Sequence, residues 1–157
     1  MNTDRAPRKS AKAEAEAAFE EHKEISKMVG DLEQWLDEPA DCHHSWTECL
    51  RERLEPLVAI LPPHFEGEEK SPLYRDVPIE FPRFSRPLER LFGEHKDIVQ
   101  ELRGLLDVAR STTDPVHAQI RELTLRTKML IFTLKRHESE ENEIIQQAYW
   151  DDLAAGD

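Results

Sequence analysis

An internal repeat is the feature that most constrains the fold of this 157-residue chain. The segment 19–25, Phe-Glu-Glu-His-Lys-Glu-Ile, recurs at 92–98 as Phe-Gly-Glu-His-Lys-Asp-Ile. The pair His64 and Glu68 also recurs, as His137 and Glu141. The distance along the chain is the same as that between the two segments. Since two unlike features have one offset in common, the sequence predicts a duplicated unit that keeps its histidines and glutamates.

Apolar residues recur at alternating steps of three and four along four segments of the chain. This spacing is typical of the buried face of a helix in a bundle. The predicted helices run from Ser10 to about Asp37, from Ser45 to about Glu68, from Ser85 to about Ser111, and from Asp114-Pro115 to about Trp150, with Ser10, Ser45, Ser85 and Asp114 as their N-caps. A content of five glycines and long stretches of good helix formers also favour helix. We therefore predict an all-α fold, an antiparallel up-down-up-down four-helix bundle with an internal two-helix duplication.

The bundle is predicted to occupy residues 11–150, between a disordered tail at 1–10 and a polar tail at 151–157. The stretch from Lys70 to Phe84 is rich in proline but too apolar for a free linker, so we expect an ordered crossover packed over one end of the bundle. Pro62 and Pro63 lie inside the second predicted helix. Because proline removes an amide donor, we expect a kink or a short break near Leu61.

The charge and composition of the chain exclude several classes of function. The formal net charge is −12, and no basic face is present that would bind nucleic acid. No apolar run approaches the length of a membrane span, and the start of the chain lacks the apolar core of a secretory signal. Cys42 and Cys49 make a poor disulfide framework, so we expect reduced cysteines and a cytoplasmic location.

Six ionisable residues occupy positions on the predicted apolar faces. In an up-down bundle they converge at a similar depth, and burying them without partners would be very costly. No Lys or Arg lies on these faces to neutralise the glutamates, whereas a pair of cations would. Imidazole and carboxylate together suit iron, zinc or manganese. The predicted metal ligands are His22, His64, Glu68, His95, His137 and Glu141.

The sequence resembles the hemerythrin-like (HHE cation-binding) domain family over almost its whole length. Four motifs in the family's order carry the resemblance: Glu21-His22-Lys23, His64-Phe65-x-x-Glu68-Glu69, Glu94-His95-Lys96 and His137-x-x-Glu140-Glu141. The resemblance implies a four-helix bundle with a non-haem di-iron centre. It implies that His22 and His64 bind one iron, that His95 and His137 bind the other, and that Glu68 and Glu141 bridge them with an oxo or hydroxo group.

The implied cofactor is thus two iron ions, although zinc or manganese could replace iron in a purified sample. The small ligands that the resemblance implies are dioxygen, nitric oxide or peroxide. No protein partner is indicated. Oxygen-carrying members have a further histidine where this chain has Val99, and an aspartate where it has Asn142. The site therefore resembles the six-ligand variety of bacterial hemerythrin-like proteins and of the F-box iron sensor, which argues against reversible oxygen carriage.

Several alternatives stay open at this point. If the prolines rotate the second helix, Glu69 could replace Glu68 as the ligand. A small zinc cluster of Cys42, His43, His44 and Cys49 would have no standard spacing. A metal-free helical interaction module and a di-iron oxidase or peroxidase are the rival functions. Because no catalytic triad or nucleotide fingerprint is visible, a metal- and small-ligand-binding protein is favoured over a dedicated enzyme.

Overall fold

The computed structural model of the chain describes residues 5–40, 42 and 44–151, and within them the fold is helical, with no strand. The five α-helices are α1 (Arg5–Asp37), α2 (Trp46–Lys70), α3 (Pro72–Glu80), α4 (Ser85–Ser111) and α5 (His117–Gln146). A 3₁₀ turn, Pro82–Phe84, precedes α4, and a π-helical turn, Gln147–Asp151, follows α5. The predicted all-α class is confirmed.

The four long helices surround one interior. Helix α2 packs against α4, α4 packs against α5, and α1 contacts both α5 and α2. The short helix α3 contacts α1, α2 and α4. This arrangement follows from the three-and-four spacing, because each long helix has one apolar face to bury.

The interior consists of two apolar clusters. The larger cluster contains Ile25 of α1, Leu57 of α2 and Leu102 of α4. The smaller cluster contains Leu91 of α4 and Ile145 of α5. Along α1, α4 and α5, the histidines that were predicted as ligands lie in sequence between residues of the two clusters. The fold therefore places a polar layer between two apolar layers.

The starts of the helices test the predicted capping residues. The Ser45 hydroxyl accepts a hydrogen bond from the amide of Glu48 at 3.3 Å, which confirms the predicted cap of α2. Helix α1 begins at Arg5, so Ser10 lies inside the helix and does not cap it. Ser85 is the first residue of α4 and is also not its cap, because the chain already turns helically through the preceding 3₁₀ segment.

Helix α5 begins later than predicted. Asp114-Pro115 was expected to start it, but the helix starts at His117 with Val116 in an extended conformation before it. The Val116 amide donates to the Gln119 side-chain oxygen at 3.0 Å. The Gln119 side chain thus satisfies the Val116 amide at the start of the helix, where Asp114 had been predicted as the capping residue.

Helix α2 continues without interruption through its three prolines, so a break near Leu61 is wrong, whereas the alternative, a kink there, stays a prediction. Leu61, His64 and Glu68 all remain buried on one face of the helix. Glu69, the alternative ligand, is about half exposed at its side chain. Tertiary packing of the apolar face outweighs the loss of the proline amide donors here.

The crossover between α2 and α4 is ordered, as predicted, and most of it forms α3, which was not predicted. The Ser71 hydroxyl accepts from the Leu73 amide at 3.2 Å, and Pro72 occupies the first helical turn, where its missing amide costs nothing. The helix buries Leu73, Tyr74 and Val77.

Cys42 and Cys49 form a disulfide across the start of α2, with their Cα atoms 6.0 Å apart. The prediction of reduced cysteines is therefore wrong. The suggested zinc cluster loses both of its thiolates, and His43 lies outside the described residues. Among the helices described here, none combines the length and the apolarity needed to cross a membrane.

Candidate metal centre

The structure brings all six predicted ligands into one buried cluster. Helix α1 contributes one residue, α2 two, α4 one and α5 two, and none of the six is more than 5% exposed. They are His22, His64, Glu68, His95, His137 and Glu141. Because a helix places residues four apart on one face, His64 and Glu68 enter the cluster together, as do His137 and Glu141.

The Glu68 carboxylate lies between the two halves of the cluster. Its Oε1 atom is 3.1 Å from Nε2 of His22 and 2.5 Å from Nε2 of His64. Its Oε2 atom is 3.2 Å from Nε2 of His95. One oxygen of this carboxylate therefore faces the histidines of α1 and α2, and the other faces the histidine of α4.

The Glu141 carboxylate has the complementary position. Its Oε1 atom is 2.8 Å from Nε2 of His137 and 3.5 Å from Nε2 of His95. Its Oε2 atom is 3.4 Å from Nε2 of His22. Both carboxylates thus have the orientation of a ligand that bridges two cations.

The spacing of these atoms fits metal coordination. A cation at about 2.1 Å from each ligand holds neighbouring ligand atoms about 3.0 to 3.4 Å apart. The Nε2 atoms of His95 and His137 are 3.2 Å apart, and nearly all of the carboxylate distances lie close to this range. Both Glu141 oxygens and Oε2 of Glu68 are buried and accept no hydrogen bond. Cations would satisfy these atoms, so the donor set fits a two-metal centre.

The outward-facing Nδ1 atom of each histidine also has a partner. Asn142 Oδ1 lies 2.6 Å from Nδ1 of His22, and Glu69 Oε1 lies 3.1 Å from Nδ1 of His95. Such partners orient a metal-binding imidazole and leave a lone pair on the inward Nε2 atom. Glu69, the alternative to Glu68 as ligand, thus contacts His95 through this outward-facing atom.

The Nδ1 atoms of His137 and His64 each lie near a glutamate that directly precedes a cluster histidine in the repeat. Glu94 Oε2 lies 3.0 Å from Nδ1 of His137. Glu21 Oε1 lies 3.4 Å from Nδ1 of His64, an ion-pair distance without hydrogen-bond geometry. Glu21 and Glu94 are equivalent positions of the repeat, so the duplicated unit supplies the partner as well as the ligand. Their shared offset was the signal that could have identified them.

Glu138 is a further buried carboxylate in the cluster that the sequence patterns did not single out. It is 7% exposed, with Oε2 at 3.1 Å from Nε2 of His22 and Oε1 at 3.6 Å from Nε2 of His64. It follows His137 directly and lies in a second buried row of α5, with Ile131 and Ile145 seven residues before and after it, which the predicted apolar face did not include. The equivalent position in the first copy of the repeat is Phe65, so the repeat did not indicate it either.

The carboxylates dominate the electrostatics of the cluster when no metal is bound. Burial lowers the pKa of His22, but contacts with Glu68 and Glu138 outweigh this effect and raise it to about 9. Burial likewise lowers the pKa of His64, and Glu138 and Glu68 raise it to about 11. Burial raises the pKa of Glu68, but hydrogen bonds from the neighbouring histidines lower it well below its usual range. Protons thus partly take the place that cations would fill.

The carboxylates of the cluster affect the pKa of Tyr74 in α3. Burial raises the pKa of its phenol, and Glu141, Glu68 and Glu138 raise it further. Its hydroxyl is buried without a hydrogen-bond partner. The crossover therefore covers the cluster with an aromatic side chain that stays neutral.

An all-α bundle with histidines and carboxylates buried at its centre defines a class of cation-binding helical proteins. Comparison with protein families finds a match to the hemerythrin HHE cation binding domain over residues 15–149. The match spans most of the chain and includes every residue of the cluster, so the chain belongs to this family, as the sequence motifs predicted. Neither the curated proteins nor the solved structures give a match.

Proposed function

We propose that this chain binds two iron ions at the cluster, and that the resulting centre binds, senses or handles iron, dioxygen, nitric oxide or peroxide. His22 and His64 would hold one iron, His95 and His137 the other, with Glu68 and Glu141 shared. An antiparallel up-down-up-down arrangement of the four long helices belongs to the same proposal. So does a cytoplasmic location, although the disulfide removes the support that reduced cysteines would have given it.

The orientation of the two shared glutamates supports this function most directly. Each carboxylate of Glu68 and Glu141 directs one oxygen to each half of the cluster, at distances between 2.5 and 3.5 Å from histidine Nε2 atoms. A single cation would leave one oxygen of each carboxylate unsatisfied. Two cations would satisfy all four oxygens.

Bound iron would supply reversible one-electron chemistry and an attachment point for a small ligand. The protein's own contribution is the position and protonation of the ligands. Asn142, Glu69 and Glu94 accept at Nδ1, so a neutral imidazole keeps its proton there and offers Nε2 to the cluster. Apolar layers lie on both sides of the centre along the bundle.

The test is the metal content of the purified protein with its optical spectrum, before and after dithionite, oxygen and nitric oxide. We expect about two irons per chain and ferric absorption in the near ultraviolet. Two variants, His95→Ala and Glu141→Ala, should lose iron. Glu143→Ala is the matched control, because Glu143 lies on the same helix and is exposed.

Iron-free protein that does not take up iron would contradict the proposal. It would favour the metal-free interaction module, for which the variants should leave the metal content at background. Turnover with peroxide or dioxygen that is lost in Glu141→Ala would instead indicate an oxidase or peroxidase.

A further inference from the structure

The two halves of the cluster differ at one pair of positions that the repeat relates. Glu138 of α5 and Phe65 of α2 are equivalent in the repeat, and each directly follows a histidine of the cluster. Glu138 places a carboxylate beside His22 and His64. Phe65 instead stacks its ring on His95, with centroids 4.0 Å apart and planes 9° from parallel. The two halves of the cluster therefore differ at this position, with a carboxylate in one half and an aromatic ring in the other.

The surroundings of Glu138 are those of a metal ligand. Both of its oxygens are buried and accept no hydrogen bond. No Lys or Arg contacts it among the ion pairs of the described residues; its partners there are the Nε2 atoms of His22 and His64. Imidazoles that bind a metal are neutral, so in the metal-loaded cluster only a bound cation would compensate the charge of this buried carboxylate. Its two oxygens lie 3.1 Å and 3.6 Å from those Nε2 atoms, close to the spacing of ligands around one cation.

We infer that Glu138 is a seventh metal ligand, which binds the cation held by His22 and His64 and makes the two metal positions unequal. The inference rests on the proposed function. The His22 position then has two imidazoles, a carboxylate of its own and the two shared carboxylates. The His95 position has two imidazoles and the shared carboxylates, with the Phe65 ring where the other half has Glu138.

The unequal ligand sets have a kinetic consequence. A cation with one more anionic ligand is released more slowly, so the protein should release its two cations in two separate phases. Grooves border both positions, one lined by Phe65, Glu69 and His95 and the other by His22, Glu138 and Asn142. The faster phase is therefore expected from the His95 position because it has fewer anionic ligands, not because it is more accessible.

The experiment measures release of Fe(II) to a chromophoric chelator under anaerobic conditions, together with iron stoichiometry by elemental analysis. Wild-type protein should hold two irons and release them in two phases. In Glu138→Gln, which keeps the size of the side chain but removes its charge, the slow phase should accelerate by about tenfold or more, since even partners outside the ligand set change affinity by about 10 to 100-fold. Glu138→Asp, which keeps the carboxylate, should restore part of the difference.

Glu143→Gln is the matched control, an exposed glutamate of the same helix, and should behave as wild type. Far-ultraviolet circular dichroism of each variant reports whether the fold is intact. If Glu138→Gln unfolds, Glu138→Ala, which also removes the charge, takes its place in the comparison with the same expected result. The inference is overturned if Glu138→Gln folds, holds two irons and releases them at wild-type rates. If the wild-type protein binds no iron, the proposed function fails before this comparison begins, so the two failures are distinguishable.

Discussion

The Oε2 atom of Glu94 lies 3.0 Å from Nδ1 of His137, on the edge of the imidazole that faces away from the cluster. Glu94 is itself held by Arg136 at 3.1 Å and by Arg90 at 2.9 Å. The two arginines hold the Glu94 carboxylate in place. The carboxylate then accepts a hydrogen bond from Nδ1–H of His137 and so fixes the tautomer and the rotation of its ring. His137 is thereby oriented before any metal binds.

Glu94→Ala should weaken metal binding without removing a ligand. Loss of such a partner typically costs about 10 to 100-fold in metal affinity, because the imidazole becomes less basic and less well oriented. Competition with a chelator of known affinity measures the change. Glu89→Ala serves as the control, since Glu89 is exposed on the same helix. Equal affinities for the two variants would show that Glu94 does not orient His137 for metal binding.

The stability of the metal-free protein should fall as the pH rises from about 6.5 to about 9. The pKa values of His22 and His95 are each raised from 6.5 to about 9 in the folded state, by neighbouring carboxylates that outweigh the effect of burial. A raised histidine pKa contributes stability that is fully present below pH 6.5 and is lost as the pH rises through the folded-state value.

Glu68 has the opposite effect, because its pKa is lowered from 4.5, so its contribution is present above that pH and is lost in acid. Urea denaturation in the presence of a chelator, at pH 5.5, 7 and 9, measures the free energy of unfolding. Iron-loaded protein should show the reverse trend between pH 6 and 8, since cations compete with protons for imidazole. A metal-free protein that is equally stable at pH 7 and 9 would contradict this prediction.

The buried ligands could be predicted from the sequence because they share a pattern with the core. His22, His95 and His137 replace apolar residues at positions where the three-and-four spacing requires a buried side chain. Their burial then follows from the same packing that buries Ile25 and Leu102. The prolines of α2 misled the prediction, since the packing of that apolar face outweighs their local cost.

The supporting residues could not be predicted in this way. Glu69 and Glu94 are partly exposed, so they resemble the many other surface glutamates of an acidic chain. Glu138 lies in a buried row of α5 with Ile131 and Ile145, beside the apolar face that the prediction followed through His137. The disulfide between Cys42 and Cys49 depends on the path of the chain before α2, and their spacing alone did not specify it.

Leu102→Ala should destabilise the bundle by about 2 to 5 kcal/mol, because it removes a fully buried side chain and leaves a cavity. Leu125→Ala is the matched control, since Leu125 is 62% exposed on α5 and its loss should change stability by no more than about 0.5 kcal/mol. Urea denaturation of the two variants under identical metal-free conditions measures the difference. Similar losses in both would contradict the assignment of Leu102 to the main apolar cluster.

Iron should stabilise the fold only when both shared carboxylates are present. A ligand that binds the folded state alone adds about 2.7 kcal/mol at a free concentration of one hundred times its dissociation constant. Thermal unfolding of wild-type protein should therefore shift to higher temperature on anaerobic addition of Fe(II), and Glu143→Ala should shift equally. Glu141→Ala should shift much less, because it removes the oxygens that face His137 and His22. Equal shifts in Glu141→Ala and wild-type protein would place the stabilising metal outside this cluster.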